Sequence, residues 1–192
     1  ELSGQAITKN MDAFEQVVLV QSNEILERRN IALKNWGTLL SFGNMKDASN
    51  DQKTVIMSFL YLAKFEGFFE EDIKICYSWL QLAEQKQVMM KDLENMKVGT
   101  IHNYFKSHNL PMFLFEGWNH HLRNSIAHLS FRYIPDEQTI EYEDKPASWK
   151  QRFTINEILA LNQKLVNVNQ MVTVIYSLII IRNLCDPYKN NL

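Results

Sequence analysis

The chain has 192 residues, of which 46% are hydrophobic and 22% are charged, and its formal net charge at pH 7 is −2. This composition is that of a globular protein and excludes a disordered chain, while the lack of a basic excess argues against non-specific coating of nucleic acid. Any nucleic-acid site must therefore be a local patch. The length suffices for a substantial core, and we expect residues 1–192 to form a single domain.

Cysteine usage and hydropathy set the expected compartment. Cys76 and Cys185 lie far apart in the sequence and lack metal-ligand spacing, so a disulfide framework is not expected and a reducing, cytoplasmic location is the default. The N-terminal residues show no secretory signal pattern. The most apolar run, residues 171–181, is too short to span a bilayer and predicts a buried helix, so no membrane partner is expected.

The first half of the chain reads as a series of helices. Hydrophobic spacing predicts a first helix over residues 11–41. Residues 49–52 (Ser-Asn-Asp-Gln) form a typical start signal for a second helix, which Gly67 is expected to interrupt. A third helix is expected over residues 71–96 and a short one over residues 100–107.

The second half adds two helices and a β-hairpin. Alternating, β-rich segments predict the hairpin, and the capping box of Thr154 and Glu157 predicts the start of the last helix. The expected elements are a turn at residues 109–111, a helix over 112–129, hairpin strands at 130–134 and 139–143, a loop over 144–152 and a final helix to about residue 183. The sequence thus predicts an all-α fold, a helical bundle with a short β-hairpin insertion after the helix at 112–129.

The helix expected over residues 112–129 carries the most informative side chains. At ~100° per residue, one narrow stripe of apolar side chains must face the core. Arg123 and His128 fall at the two borders of the polar face, ~140° apart, and Asn124 lies between them. The apolar stripe consists of Phe115, Trp118, Leu122, Ile126 and Leu129.

Arg123, Asn124 and His128 are residue types suited to phosphodiester chemistry. A guanidinium stabilises negative charge on phosphate, an amide orients its neighbours, and an imidazole moves a proton near neutral pH. Two copies of the helix facing each other across a two-fold axis would place two arginines and two histidines around one phosphate, as a homodimer does naturally. A ribose 2′-hydroxyl would be the nucleophile, so this chemistry selects RNA and requires no metal or other cofactor.

Arg123-Asn124, followed by three residues and His128, resembles the short form of the HEPN superfamily signature. That signature is Arg, a polar residue that is often Asn, three to five further residues, and His. The resemblance covers about residues 122–132 and implies a helical bundle, a homodimer and a metal-independent endoribonuclease with a toxin–antitoxin or antiviral defence role. It implies catalytic roles for Arg123, Asn124 and His128, with RNA as substrate and an antitoxin or a regulatory protein as a further partner.

Four neighbouring residues, His120, His121, Ser125 and Arg132, are candidate substrate-binding residues. A metal site formed by His120, His121 and His128 with Glu116 is the alternative. It is disfavoured because adjacent helical residues point ~100° apart and no cysteine joins the set. We therefore expect no metal at this position.

Two other functions stay open at this stage. The first is a non-catalytic HEPN-like module that binds RNA, a nucleotide or a partner protein through the same face. The second is a purely structural helical interaction protein, in which Arg123 and His128 are ordinary residues of a solvated helix face.

Overall fold

Helices dominate the part of the chain that the structure, a computed structural model, describes: residues 34, 48–84, 86, 92–93 and 95–185. A three-stranded antiparallel sheet completes this mainly helical fold. The helices are α1 (Asn50–Lys64), α2 (Glu70–Ala83), α3 (Val98–Ser107), α4 (His120–Ala127) and α5 (Ile155–Cys185), and the strands are β1 (Phe131–Ile134), β2 (Thr139–Asp144) and β3 (Trp149–Thr154). Apart from Lys34, the helix expected over residues 11–41 lies outside the described residues.

Helix α1 begins where the sequence predicts. The Ser49 hydroxyl accepts a hydrogen bond from the backbone N–H of Gln52 (3.2 Å). The Gln52 side-chain oxygen accepts one from the backbone N–H of Ser49 (2.8 Å). The predicted interruption of the α-helix at Gly67 is confirmed, but it is a π-helical turn, Phe65–Phe69, that continues into α2, so the chain stays helical. One glycine costs a helix only about 1 kcal/mol, and the three phenylalanines of this turn are all buried in the core.

The helix expected over residues 71–96 ends early. Helix α2 stops at Ala83, and Lys86 is not helical. Glu84, just after the helix, accepts hydrogen bonds from Lys86 (2.6 Å) and from the Tyr104 hydroxyl of α3 (3.0 Å). The short helix expected over residues 100–107 is confirmed as α3, which starts two residues earlier.

The helix expected over residues 112–129 is divided in two. A 3-10 turn, Met112–Phe115, is followed by irregular chain, and α4 begins only at His120. The Asn119 side chain caps α4 by accepting a hydrogen bond from the Leu122 amide (3.0 Å). The break was not predicted because the apolar residues keep helical spacing across it.

Part of the apolar stripe faces the core as predicted. Phe115, Leu122 and Ile126 are buried, and Trp118 is half-buried. Leu129 is 68% exposed, because α4 ends at Ala127 and Leu129 has a left-handed backbone (φ 54°) that turns the chain toward β1. Its assignment to the core was wrong.

A buried tyrosine of α1 fixes the break before α4. The Tyr61 hydroxyl donates a hydrogen bond to the Gly117 carbonyl (2.9 Å) and accepts one from the backbone N–H of Asn119 (3.0 Å). Burial raises the pKa of this phenol, which stays protonated. A Cβ atom on Gly117 would lie 3.0 Å from Leu165 of α5, a tight contact that shows how closely the chain passes α5 at this point.

The predicted hairpin is confirmed as β1 and β2, with Phe131 opposite Tyr142. The loop expected over residues 144–152 is wrong, because Trp149–Thr154 form β3 on the other side of β2. The strand lacks a continuous apolar alternation, and its pairing depends on β2. The all-α expectation is thereby corrected to a mainly helical fold with a small sheet.

Hydrogen bonds between side chains tie the sheet and α5 to the bundle. Ser58 of α1 donates to the Thr54 carbonyl, so the Tyr142 hydroxyl of β2 donates to Ser58 (2.7 Å). Helix α5 begins at the predicted capping box, in which Glu157 accepts a hydrogen bond from the Thr154 amide (2.7 Å). The described helices include none with the length and apolarity needed to cross a bilayer.

One carboxylate organises the polar face of the sheet. Glu141 at the centre of β2 is buried and pairs with Arg132 of β1 (2.9 Å) and with Lys150 (2.9 Å) and Arg152 (3.0 Å) of β3. Hydrogen bonds from Lys150, then Arg152 and Arg132, lower the pKa of Glu141 to about 2. The charged face thus joins all three strands through a single side chain.

Replacing Tyr61 with Phe removes the hydroxyl that holds the break before α4. The Gly117 carbonyl and the Asn119 amide lose their partner, so we expect the free energy of unfolding to fall by about 1–3 kcal/mol in urea denaturation. Tyr104→Phe is the matched control, since its hydroxyl lies at the surface. Equal losses in the two variants would contradict a special role for Tyr61.

The Glu141 cluster predicts a pH dependence of stability. The pKa of Glu141 is lower in the folded chain than in the unfolded chain, so its contribution is complete above about pH 4.5 and is lost as the pH falls toward 2. Chemical denaturation at several pH values should show a shallower decline in Glu141→Gln than in the wild type over this range. Glu143→Gln, on the same face of β2, should keep the wild-type slope; identical slopes in all three proteins would refute the prediction.

Candidate functional site

A surface pocket of about 690 Å³ opens where α4 meets α2, the π-helical turn and the start of α3. Three of the predicted site residues, His120, Arg123 and Asn124, line it. The pocket is lined by three cationic side chains and the Glu70 carboxylate, and two of the cations are paired, Lys74 with Glu71 (3.4 Å) and Arg123 with Glu66 (2.6 Å). The rest of its lining is Phe65, Glu70, Lys74, Asn95, Met96, Lys97, Val98, Gly99 and Trp118.

Two side chains hold the guanidinium of Arg123 at this pocket. Its Nη2 lies 2.6 Å from Glu66 Oε1, and its Nη1 donates a hydrogen bond to Asn124 Oδ1 (3.2 Å). Its Nε is buried and has no hydrogen-bond partner within the described part of the chain. Glu66 belongs to the π-helical turn, a feature that often occurs at functional sites, and sequence reasoning gave Glu66 no role.

Five rings form a row along the surface from α3 to the sheet. Trp118 contacts His102 (ring centroids 4.6 Å apart) and His120 (5.4 Å). His120 contacts His121 (3.8 Å), which stacks on Trp149 of β3 (5.3 Å). All five side chains are at least partly exposed. We call His102, Trp118, His120, His121 and Trp149 the ring row.

The contact between His120 and His121 corrects the expectation that their side chains diverge. Both lie in the first turn of α4, where the rings tilt toward each other. Burial, and then the neighbouring His121, lower the pKa of His120. At neutral pH this favours an uncharged His120 ring, which is suited to stacking.

A carboxylate that sequence reasoning missed lies beside the ring row. Asp144, the last residue of β2, is 4% exposed, and its Oδ2 is 2.8 Å from His121 Nδ1 and 3.2 Å from Asn124 Nδ2. Hydrogen bonds from His121, and then from Asn124, lower the pKa of Asp144. Asn124 therefore joins two groups, since its Oδ1 binds Arg123 and its Nδ2 binds Asp144.

The other predicted site residues lie apart from the pocket. His128 is exposed at the end of α4 and does not line the pocket. Arg132 is paired with Glu141 and borders a second pocket, of about 370 Å³, beside the sheet. Ser125 is fully buried, and its hydroxyl donates to the His121 carbonyl (2.7 Å), so it is unavailable to a surface ligand.

The alternative metal ligands are not gathered into one site. Glu116 is exposed and lies 3.3 Å from Lys164, and His128 lies at the opposite end of α4 from His120. Over the described residues, no group of three His, Cys, Asp or Glu side chains is arranged to hold a metal ion.

Comparison with protein-family models, with curated proteins and with solved structures finds no match for this chain. Its function must therefore be inferred from its own residues and their contacts. They are the segment that resembles the HEPN signature, residues 122–132, and the contacts of that segment with α2, the π-helical turn and the sheet.

An anionic ligand at this pocket would compete with Glu66 for Arg123, so neutralising Glu66 should strengthen its binding. We expect Glu66→Gln to bind a fluorescent single-stranded oligodeoxynucleotide about three- to tenfold more tightly, which corresponds to roughly 1 kcal/mol for an exposed ion pair. Fluorescence anisotropy measures the change. Glu116→Gln removes a carboxylate from another exposed ion pair and should leave affinity unchanged; weaker binding by Glu66→Gln would show that Glu66 orients Arg123 instead.

Proposed function

We propose that this protein is a metal-independent endoribonuclease of the HEPN type, active as a homodimer. The observation that carries the proposal is the position of Arg123 and Asn124 at a cationic pocket beside the ring row. A guanidinium with a fixed orientation binds a phosphate oxygen through paired N–H groups. Arg123 presents Nη2 to the exposed Glu66 carboxylate, and this is the position that a phosphate oxygen can take over.

The ring row supports RNA as the ligand. Unpaired bases stack on aromatic and imidazole rings, and such stacking contributes about 1–3 kcal/mol per base in single-strand-binding proteins. The chain's net charge of −2 supplies little general attraction for a polyanion. Stacking offers a physical basis for affinity that the overall charge does not. Lys97 adds to it, and so do Lys74 and Arg123 once a phosphate replaces their partners Glu71 and Glu66.

The chemistry we propose uses the ribose as its own nucleophile. A neutral imidazole takes the proton of the 2′-hydroxyl, the O2′–P bond forms, and the P–O5′ bond breaks as an imidazolium gives a proton to O5′. Arg123 stabilises the negative charge that grows on the phosphoryl oxygens. The products carry a 2′,3′-cyclic phosphate and a 5′-hydroxyl.

A second copy of the chain would complete this site. Within one protomer, Arg123 lines the pocket and His128 is exposed at the end of α4, on the other border of its polar face. A two-fold axis beside α4 would bring the His128 of one protomer to the Arg123 of its partner. We extend the proposal to a cytoplasmic toxin–antitoxin or antiviral role, with an antitoxin or a regulatory protein as the restraining partner.

A non-catalytic module that binds RNA, a nucleotide or a partner protein is the second candidate. Two observations favour it: Arg123 is already paired with Glu66, and His128 lies outside the pocket. An exposed ion pair contributes only about 0–1 kcal/mol, so a phosphate can displace Glu66 from Arg123. The position of His128 therefore distinguishes the ribonuclease from the non-catalytic module better than the pairing of Arg123 with Glu66 does.

Incubation of the protein with single-stranded RNA in EDTA tests the proposed function. We expect the wild type to release products with 2′,3′-cyclic phosphate ends, and Arg123→Ala and His128→Ala each to lower the cleavage rate by about 100-fold or more. Lys106→Ala, which removes an exposed cation of α3 that does not line the pocket, is the control and should cleave normally. Binding without cleavage would favour the second candidate, and 3′-hydroxyl products would rule out attack by the 2′-hydroxyl.

Mixing the two inactive variants tests the shared site. A heterodimer of Arg123→Ala and His128→Ala subunits retains one intact pair if each site takes its arginine and its histidine from different protomers. We therefore expect the mixture to regain activity that neither variant shows alone. If the protein elutes as a monomer in gel filtration and those fractions have full cleavage activity, the shared site is contradicted.

A further inference from the structure

Asp144 brings two residues of α4 under the control of the sheet. Its Oδ2 is the acceptor for both His121 Nδ1 (2.8 Å) and Asn124 Nδ2 (3.2 Å). Side chains one turn apart on a helix lie on the same face, so one carboxylate oxygen at the end of β2 reaches both. Only 4% of Asp144 is exposed, and water therefore competes little for that oxygen.

The contact fixes the chemical form of His121. A carboxylate accepts hydrogen bonds, so Nδ1 of His121 carries the hydrogen and the neutral ring keeps its acceptor lone pair on Nε2. Trp149 stacks on the same ring with an interplanar angle of 16°, which restrains the plane of the imidazole. The side chain of His121 is 27% exposed, so a ligand on the ring row can reach it.

We propose that His121 is a second catalytic imidazole of this site and that Asp144 is the positioning residue that orients it. The inference deepens the proposed ribonuclease function and rests on it. In the shared site of the proposed function, His121 and Arg123 come from one protomer and His128 from its partner, so the two imidazoles belong to different chains. Asn124 forms hydrogen bonds with both Asp144 and Arg123. It therefore links the carboxylate that orients His121 to the guanidinium of Arg123.

The proposal assigns the two proton transfers to different histidines. Nε2 of neutral His121 accepts the proton of the 2′-hydroxyl while the O2′–P bond forms. A protonated His128 gives its proton to O5′ as the P–O5′ bond breaks. The charge that His121 gains is stabilised by the carboxylate of Asp144, and both imidazoles return to their first state by exchanging a proton with water.

Asp144→Asn separates this role from simple structural support. The amide has the same shape and can still place an oxygen at the position of Oδ2, but it carries no charge. We expect kcat for RNA cleavage to fall about 100-fold, with KM nearly unchanged. In a His121→Ala background the same substitution should change kcat by less than about threefold, because residues that act as a unit are not additive.

Glu143→Gln is the matched control for that substitution. It removes the neighbouring carboxylate, which lies on the opposite face of β2, and should leave kcat unchanged. Thermal unfolding of each variant verifies that the fold is intact. Equal losses caused by Asp144→Asn in the wild-type and His121→Ala backgrounds would overturn the proposal, since a structural defect acts independently of His121.

A spectroscopic measurement tests the orientation without relying on activity. Nitrogen–proton correlation spectra of the imidazole rings should show the Nδ1–H tautomer for His121 at a pH where the ring is neutral, and a lower proportion of it in Asp144→Asn. The Nε2–H tautomer in the wild type would overturn the proposal. Normal cleavage by His121→Ala would overturn it while leaving the ribonuclease function in place, whereas an inactive wild type would overturn both.

Discussion

The hydroxyl of Tyr61 sets where α4 begins, and the candidate site follows from that position. It bonds to the Gly117 carbonyl and to the Asn119 amide, on either side of Trp118. Asn119 then caps α4, so His120 and His121 fall in the first turn of the helix. Had the helix run without interruption from residue 112, the chain before His120 would follow a different path, and Trp118 would not meet the rings of His102 and His120 as it does.

Helix α4 lies between two different environments, and its polar residues divide between them. Arg123 lies on the side of the pocket and of the Glu66 carboxylate, whereas His121 lies on the side of the sheet and of Asp144. Asn124 bonds to a residue on each side. A change in the sheet can therefore alter the orientation of the guanidinium through two hydrogen bonds.

The electrostatics of the chain are local, as its near-neutral charge requires. Carboxylates lie close to most of the cations considered: Glu66 to Arg123, and Glu141 to Arg132, Lys150 and Arg152. The buried Glu141 carboxylate neutralises part of the positive charge of Arg132, Lys150 and Arg152, and these pairs stabilise the sheet. The Glu66 carboxylate is much more exposed than that of Glu141 (45% against 6%), so its pair with Arg123 is the one that a phosphate can replace.

Elements that depend on neighbouring residues follow from the amino-acid sequence alone. The capping boxes at Ser49 and Thr154 and the alternation of β1 and β2 are interactions over a few residues, so they can be read from local pattern. For the same reason, the sequence pointed to Arg123 and Asn124, which the structure places at a pocket. The break before α4, the position of Asp144 and the pairing of β3 arise instead from tertiary contacts. The break and the position of Asp144 depend on partners far away in the chain, as with Tyr61 and Asn119 (58 apart) or Asp144 and His121 (23 apart), and no local pattern encodes them. Strand β3 pairs with β2 over only 5 to 15 residues, but its sequence lacks the apolar alternation that marks β1 and β2.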